Sequence, residues 1–256
     1  RLMHAFPDRR QPTSAADAGK IIDIFCQPDT DGGPITATPS ARTDSTEHPT
    51  HRQPMSRTLS KSDFKLAQVC PTKLYYRKRK FPSTMDENEY LQMLAEGGYA
   101  VGKLATLLFP DGVDLGDIGN PDEAVQRTNE LLAQENVTVF EAAVRHGDYL
   151  VRVDVLVKCG AVLELIEVKS TTVDGSAPDF LNKSGTIETG WRPYIEDVAY
   201  QTMVARLAYP NMTVVPYLMM PDKSRTTTIE GLNSQFEVKA KPAQPGSRFR
   251  NYTVTF

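Results

Sequence analysis

The sequence predicts an α/β protein, a mixed β-sheet flanked by α-helices, on three observations. Runs of alternating apolar and polar residues at 137–145, 149–158 and 161–169 are separated only by short turns, the pattern of an antiparallel meander. A helix-period segment follows at 194–209, opened by Pro193 in its first turn. A further apolar run at 212–219 returns as a strand, and helical segments precede the meander, so sheet and helices share one core.

The 256 residues are 40% hydrophobic, enough for one good core. Residues 1–56 dilute it. They are rich in Pro, Thr, Ser, Asp and Gly and hold no sustained apolar period beyond Ile21, Ile22, Ile24 and Phe25, so they read as a mostly disordered, low-complexity extension of a domain at 57–256. His4, His48 and His51 lie there at scattered spacing, as expected for solvated coil.

Ser60 or Ser62 caps a short helix that Pro71 interrupts. Lys73, Arg77, Lys78, Arg79 and Lys80 then crowd a second helical segment with Tyr75 and Tyr76, the one strong basic cluster. Asp86 starts a long helix on which Tyr90, Leu94, Gly97, Val101, Leu104 and Leu108 keep helical spacing, with Gly97 and Gly98 expected to permit close packing. Asn120 and Pro121 open another helix to about Gln134, and His146, Gly147 and Asp148 form the first hairpin turn. Weaker strand signals stand at 225–229 and 251–256. The polar stretch after Lys169, with Gly175, Pro178, Gly185 and Gly190, reads equally as a lid or as a tolerated insertion, and Trp191 as a packing anchor.

The period of two also sorts the charged residues. Val151, Val153, Val155 and Val157 are expected on one face of their strand and Arg152, Asp154 and Leu156 on the other, while Leu163, Leu165, Glu167 and Lys169 share a face of the next. A two-residue loop at Cys159 and Gly160 sets Asp154 opposite Leu165 and Arg152 opposite Glu167, so Asp154, Glu167 and Lys169 lie on the same side. A three-residue loop would invert that.

Two carboxylates and a lysine on one face suit metal-dependent hydrolysis of a phosphodiester. Mg²⁺ or Mn²⁺ held by Asp154, Glu167 and the Val168 carbonyl would offset the negative charge around phosphorus, with Lys169 orienting or deprotonating the attacking water. The competing reading is a solvated strand edge. An aspartate inside a valine run weighs against it, because an unpaired carboxylate there costs on the order of several kcal/mol. Gln201 and Asp197 fall on one helical stripe, so Gln201 either faces the centre or marks the polar rim of a buried helix, and Glu141 on the first strand lines the site as a third acid. The basic cluster reads either as a phosphate grip, with a tyrosine stacking on a base, or as a solvated helix face.

Asp154, Glu167-Val168-Lys169 and Gln201 resemble the metal carboxylates, lysine and glutamine of the PD-(D/E)xK nucleases, in the RecB-like branch that includes CRISPR-associated exonucleases. The resemblance is closer to a bacterial domain of unknown function in that branch. It is carried by Leu59-Ser-Lys-Ser-Asp-Phe-Lys-Leu-Ala-Gln-Val-Cys-Pro-Thr-Lys-Leu-Tyr75, by Gly98-Tyr-Ala-Val-Gly-Lys-Leu-Ala-Thr-Leu-Leu-Phe-Pro-Asp-Gly112 and by Asp197-Val-Ala-Tyr-Gln201, covering residues 57–256.

The resemblance implies a restriction-endonuclease-like fold and a Mg²⁺- or Mn²⁺-dependent nuclease. Its partner would be DNA, single-stranded or at duplex ends, and it would act as an exonuclease in repair or mobile-element defence. The chain departs from the pattern twice. Many relatives carry a histidine ligand on the helix equivalent to 98–108, where this chain offers only Glu96 or Lys103. Several hold an iron-sulfur cluster on four cysteines, of which only Cys70 has a counterpart here. Either the cluster is absent or the chain, which starts without Met and stops at Phe256, is a fragment lacking the downstream thiolates.

A net charge of −3 excludes indiscriminate coating of nucleic acid, so binding has to be local. The sequence has no run of the ~18 apolar residues a membrane span needs and no secretory signal, which suggests a cytoplasmic protein. Cys26, Cys70 and Cys159, odd in number and far apart, suggest no disulfide framework. Two alternatives to a deoxyribonuclease stand beside it: a nucleic-acid-binding module of the same fold without turnover, and a hydrolase of small phosphorylated molecules.

Overall fold

The computed structural model describes residues 2–3, 57–82, 89–174, 180–240 and 252–255. In chain order the elements are β1 (Leu2–Met3), β2 (Leu59–Ser60), α1 (Lys61–Val69), α2 (Pro71–Lys78), α3 (Glu89–Thr106), β3 (Val113–Asp114), α4 (Pro121–Leu132), β4 (Asn136–His146), β5 (Tyr149–Cys159), β6 (Val162–Val168), α5 (Arg192–Ala208), β7 (Thr213–Pro221), a 3-10 turn (Leu232–Gln235), β8 (Glu237–Ala240) and β9 (Tyr252–Thr255). Most of the expected extension at 1–56, its histidines and Cys26, and the expected helix start at Asp86 lie outside the described residues.

Local chemistry sets the helix starts. Ser60 caps α1 in a capping box with Asp63, Pro71 opens α2 at its first turn, and Asn120 accepts from the backbone N–H groups of Asp122 and Glu123 ahead of α4. The sheet is mixed. β4, β5 and β6 form the antiparallel meander, β7 runs parallel to β6, β3 runs parallel to β4, and Leu2–Met3 pairs antiparallel with the end of β7. β8 and β9 make a separate two-stranded ribbon.

One hydrophobic cluster joins Leu131 and Leu132 of α4 with Val139, Leu156, Leu163 and Leu165 of the sheet and Tyr200, Val204 and Ala205 of α5. A second joins Ala105 of α3 with Phe140, Val155, Ile166 and Met219. Gly112 is required where Phe140 packs, since a Cβ there would meet the ring at 2.2 Å. Among the described residues nothing stands within 4 Å of where a Cβ would sit on Gly97 or Gly98, so the expected close packing at those glycines is not found there.

Two details of the meander correct the sequence reading. The second hairpin turns at Gly160, with φ +55, and Ala161, because Cys159 pairs with Val162. Leu156, not Asp154, is therefore the partner of Leu165, and Asp154 precedes Val155, the first residue of β5 paired with β6. The slip is by two residues, an even number, so the face on which each paired residue of β5 and β6 lies is unchanged. The alternation along β5 is not continuous, however. Val155 and Val157 pack in the second cluster, whereas Val151 and Val153 pack in the first with Leu156. The pleat lapses where Glu141, with φ +52, and Asp154 stand between the Phe140–Val155 and Ala142–Val153 pairs. A third correction is at 225–229, expected as a weak strand, which forms bends and irregular backbone before the 3-10 segment.

The edge of β5 that faces β6 is shared. β6 covers Val155 to Cys159, and β2 pairs in parallel with Tyr149 and Leu150. Between them the sheet forks, and α1 leaves β2 directly at the fork. Arg152 braces it, donating to the carbonyls of Leu115 at 3.2 Å, Glu141 at 2.9 Å and Ile118 at 2.5 Å. Charge-assisted bonds of this kind contribute about 1.5–3 kcal/mol each. Arg152→Met is expected to lower unfolding stability by about 2–4 kcal/mol in urea denaturation, and a change within 0.5 kcal/mol would show the brace to be idle.

Candidate active site

The fork collects acids from three adjacent strands. Glu141 of β4, Asp154 of β5 and Glu167 of β6 each stand next to a residue of the paired ladders, Phe140 with Val155 and Val155 with Ile166. Asp154 accepts from the backbone N–H of Val168 at 2.7 Å, supplying the acceptor that a regular ladder would draw from a strand. Glu167 is 1% exposed, and both its oxygens are saturated. Oε1 accepts from Lys61 at 2.7 Å and Lys169 at 2.6 Å, and Oε2 from Lys61 at 3.0 Å and Gln201 at 2.5 Å.

Helix α5 closes the site from one face of the sheet. Asp197, 0% exposed, accepts from Lys169 at 2.8 Å and from Lys65 of α1 at 2.9 Å through the same oxygen. The Asp197 Oδ1 and Gln201 Oε1 atoms are buried without a hydrogen-bond partner among the described residues. Tyr200, between them in sequence, stacks on Phe64 at 4.7 Å and donates to the Leu59 carbonyl at 2.8 Å. One helical turn of α5 thus holds Lys169, β2 and Glu167 at once.

The structure therefore brings together Asp154, Glu167, Lys169, Gln201 and Asp197, with Glu141 alongside. Lys103 sits on α3, which packs against the second cluster, and makes no bond to these acids. The Glu96 side chain lies outside the described residues. In α2, Lys78 turns inward to Asp63 at 2.7 Å and to the Thr58 carbonyl, and Arg77 reaches Asp63 at 3.6 Å, so both hold the start of α1. Lys73, Tyr75, Arg79 and Lys80 are exposed, with the Arg79 guanidinium 5.0 Å from the Tyr75 ring centre. Cys70, between α1 and α2, and Cys159 are free thiols.

Lys61, Lys65 and Tyr200 were missed as site residues by the sequence reading. The one available signal was the placement of Lys61 directly after a capping serine in the segment 59–75, which fixes where its side chain starts but not what it reaches.

The electrostatics follow from crowding. Burial, then the charge of Glu167, pushes the Asp154 carboxyl up to about 8. Burial also raises Glu141, against Arg152 and Lys61. Burial works against ionised Glu167 too, but Lys61 and Lys169 outweigh it and hold its carboxyl below the usual range. Lys61 and Lys169 feel burial first, yet the facing carboxylates keep both ammonium groups above the ordinary lysine value. Lys169 is thereby held as an ammonium by the acids it faces.

Asp154 gives the folded protein a sign of pH dependence opposite to that of an ordinary salt-bridged carboxylate. Between the unfolded value of about 4 and the folded value of about 8 the native state holds a proton that the unfolded chain has lost, so stability falls as pH rises through that window. The slope is at most about 1.4 kcal/mol per pH unit, and less because Asp154 is only half-buried and partly screened. Urea denaturation at pH 5, 6, 7 and 8 should show this decline in the parent and a shallower one in Asp154→Asn; parallel slopes would remove Asp154 as its source.

Among the described residues no group of three His, Cys, Asp or Glu side chains stands ready to hold a metal ion. The donor chemistry nonetheless fits a hard divalent cation. Mg²⁺ commonly takes one or two carboxylates and completes its shell with water and phosphate oxygens, and Asp154 has one oxygen without a protein partner beside the Glu167 carboxylate. No helix among the described residues is long and apolar enough to cross a membrane. No family model, curated protein or solved structure matches the chain.

Proposed function

We propose that the protein is a metal-dependent nuclease of the restriction-endonuclease-like, RecB-like kind, cutting phosphodiester bonds of DNA at the fork where β2 and β6 part along β5. The observation that carries this reading is the convergence of Asp154, Glu167 and Lys169 at the fork, with Asp154 bonded to the Val168 N–H and both Lys169 and Gln201 bonded to Glu167.

Asp154 and Glu167 would hold Mg²⁺ or Mn²⁺ with the Val168 carbonyl. The metal supplies charge neutralisation and polarisation at the phosphoryl group. Lys169, fixed by Glu167 and Asp197, offers its ammonium to charge developing on the phosphate oxygens. Gln201 orients Glu167 through a buried hydrogen bond. Incubation of linear, circular and single-stranded DNA with Mg²⁺ or EDTA tests the assignment; metal-dependent shortening of linear substrates is expected, and intact DNA under all conditions sinks it.

Exposed Lys73, Arg79 and Lys80, with Tyr75 and Tyr76 at 48% and 47% exposure, make α2 and the turn after it the favoured nucleic-acid contact. The combined variant Lys73→Gln, Arg79→Gln, Lys80→Gln is expected to weaken DNA binding about tenfold in 0.1 M salt and to flatten its salt dependence by two to three counterions. Unchanged salt dependence would favour a small phosphorylated substrate.

A further inference from the structure

We propose that Lys61 is the resident cation of the acidic fork and that a divalent metal enters only by displacing its ammonium group; this rests on the metal-dependent reading above. Lys61 is the first residue of α1, set at the fork by the Ser60 capping box and by the pairing of β2 with β5. Its Nζ spans both oxygens of Glu167, at 2.7 and 3.0 Å, and it also feels the charges of Asp154 and Glu141.

The two oxygens of Glu167 receive four hydrogen bonds, two from Lys61 and one each from Lys169 and Gln201. That fills the carboxylate's roughly four lone-pair positions. A metal coordinated by Glu167 has to take one of them. Lys169 is anchored a second time on Asp197, and Gln201 is wholly buried on α5. Lys61 is the donor that releases two positions at once, and its side chain is 23% exposed against 1% for Glu167, so its head has a route to water. An ammonium and a divalent ion placed between the same acids repel each other, which makes the two occupants exclusive.

The device keeps Glu167 compensated, and the fork closed, in the absence of metal. Its cost is a lowered metal affinity. Calorimetric titration of MnCl₂ into the full chain at pH 8 and into Lys61→Met, which keeps an unbranched apolar stem of similar length, tests the exclusion. The variant is expected to bind at least tenfold more tightly, and Lys61→Arg no more tightly than the parent.

Equal or weaker binding by Lys61→Met overturns the inference while leaving the metal reading in place. Absence of binding by both proteins overturns the two together. Should Lys61→Met not fold, the parent labelled with ¹⁵N-lysine keeps the question answerable. Its Lys61 ammonium resonance must move on saturation with Mg²⁺, and a resonance that stays in place removes the displacement.

Discussion

Asp154→Asn is expected to lower the Mg²⁺-dependent cleavage rate by about 10³-fold or more while leaving the protein folded. The substitution separates two duties of one side chain. The amide oxygen of asparagine can still accept from the Val168 N–H, the bond that closes the fork at 2.7 Å. What it cannot do is present an anionic oxygen to a cation. Because the native carboxyl sits against Glu167, pushed up to about 8, neutralising it also relieves repulsion. The variant should melt at or above the parent temperature at pH 8. Initial rates on linear duplex DNA, measured beside thermal melting, check both halves. A rate within tenfold of the parent would remove Asp154 from the chemistry, and a collapsed melting temperature would show that the carboxylate itself, not its geometry, holds the fork.

Glu167→Ala should also lose activity but, unlike Asp154→Asn, be destabilised by about 3–5 kcal/mol. Glu167 is the hub of the site, 1% exposed and bonded to Lys61, Lys169 and Gln201. Truncation leaves Lys169, 17% exposed, with Asp197 as its remaining acid, strands the Gln201 amide, and opens a void under α5. The double variant Glu167→Ala, Lys61→Met should recover part of the loss, since it removes one of the uncompensated charges; denaturant unfolding of the full cycle measures the coupling. Additive effects would mean that Lys61 and Glu167 do not depend on each other. The same logic applies to Lys169→Ala, which is expected to stop cleavage but also to weaken the fold, because the lysine bridges two buried carboxylates.

Much of this arrangement was legible in the chain because the meander is local. Alternation in 137–169 defined three strands within a residue or two of those found, although the turn lies at Gly160 and Ala161 rather than at Cys159 and Gly160. Glycine is permitted at either loop position, so sequence alone could not fix the register. The lapse in alternation at Glu141 was not legible, since a positive φ at glutamate leaves no compositional mark.

Lys61 and Lys65 were invisible for a different reason. They reach the acids through a two-residue parallel strand, and no periodicity signals a pairing between Leu59 and Tyr149. The run at 225–229 misled because Thr226, Thr227, Thr228 and Ile229 carry high strand propensity but are exposed and pair with no edge, and propensity without a partner strand is not structure.

The contact between Lys61 and Glu167 joins residues 106 positions apart, whereas β4, β5 and β6 meet through loops of two residues. Closing short loops takes far less chain entropy than closing long ones, so the meander is assembled early on the folding route and the N-terminal arm docks late. Until it docks, three neighbouring acids share a half-formed sheet with a single nearby lysine. Folding at mildly acidic pH, where protonation spares that crowd its mutual repulsion, should therefore run faster than folding at alkaline pH.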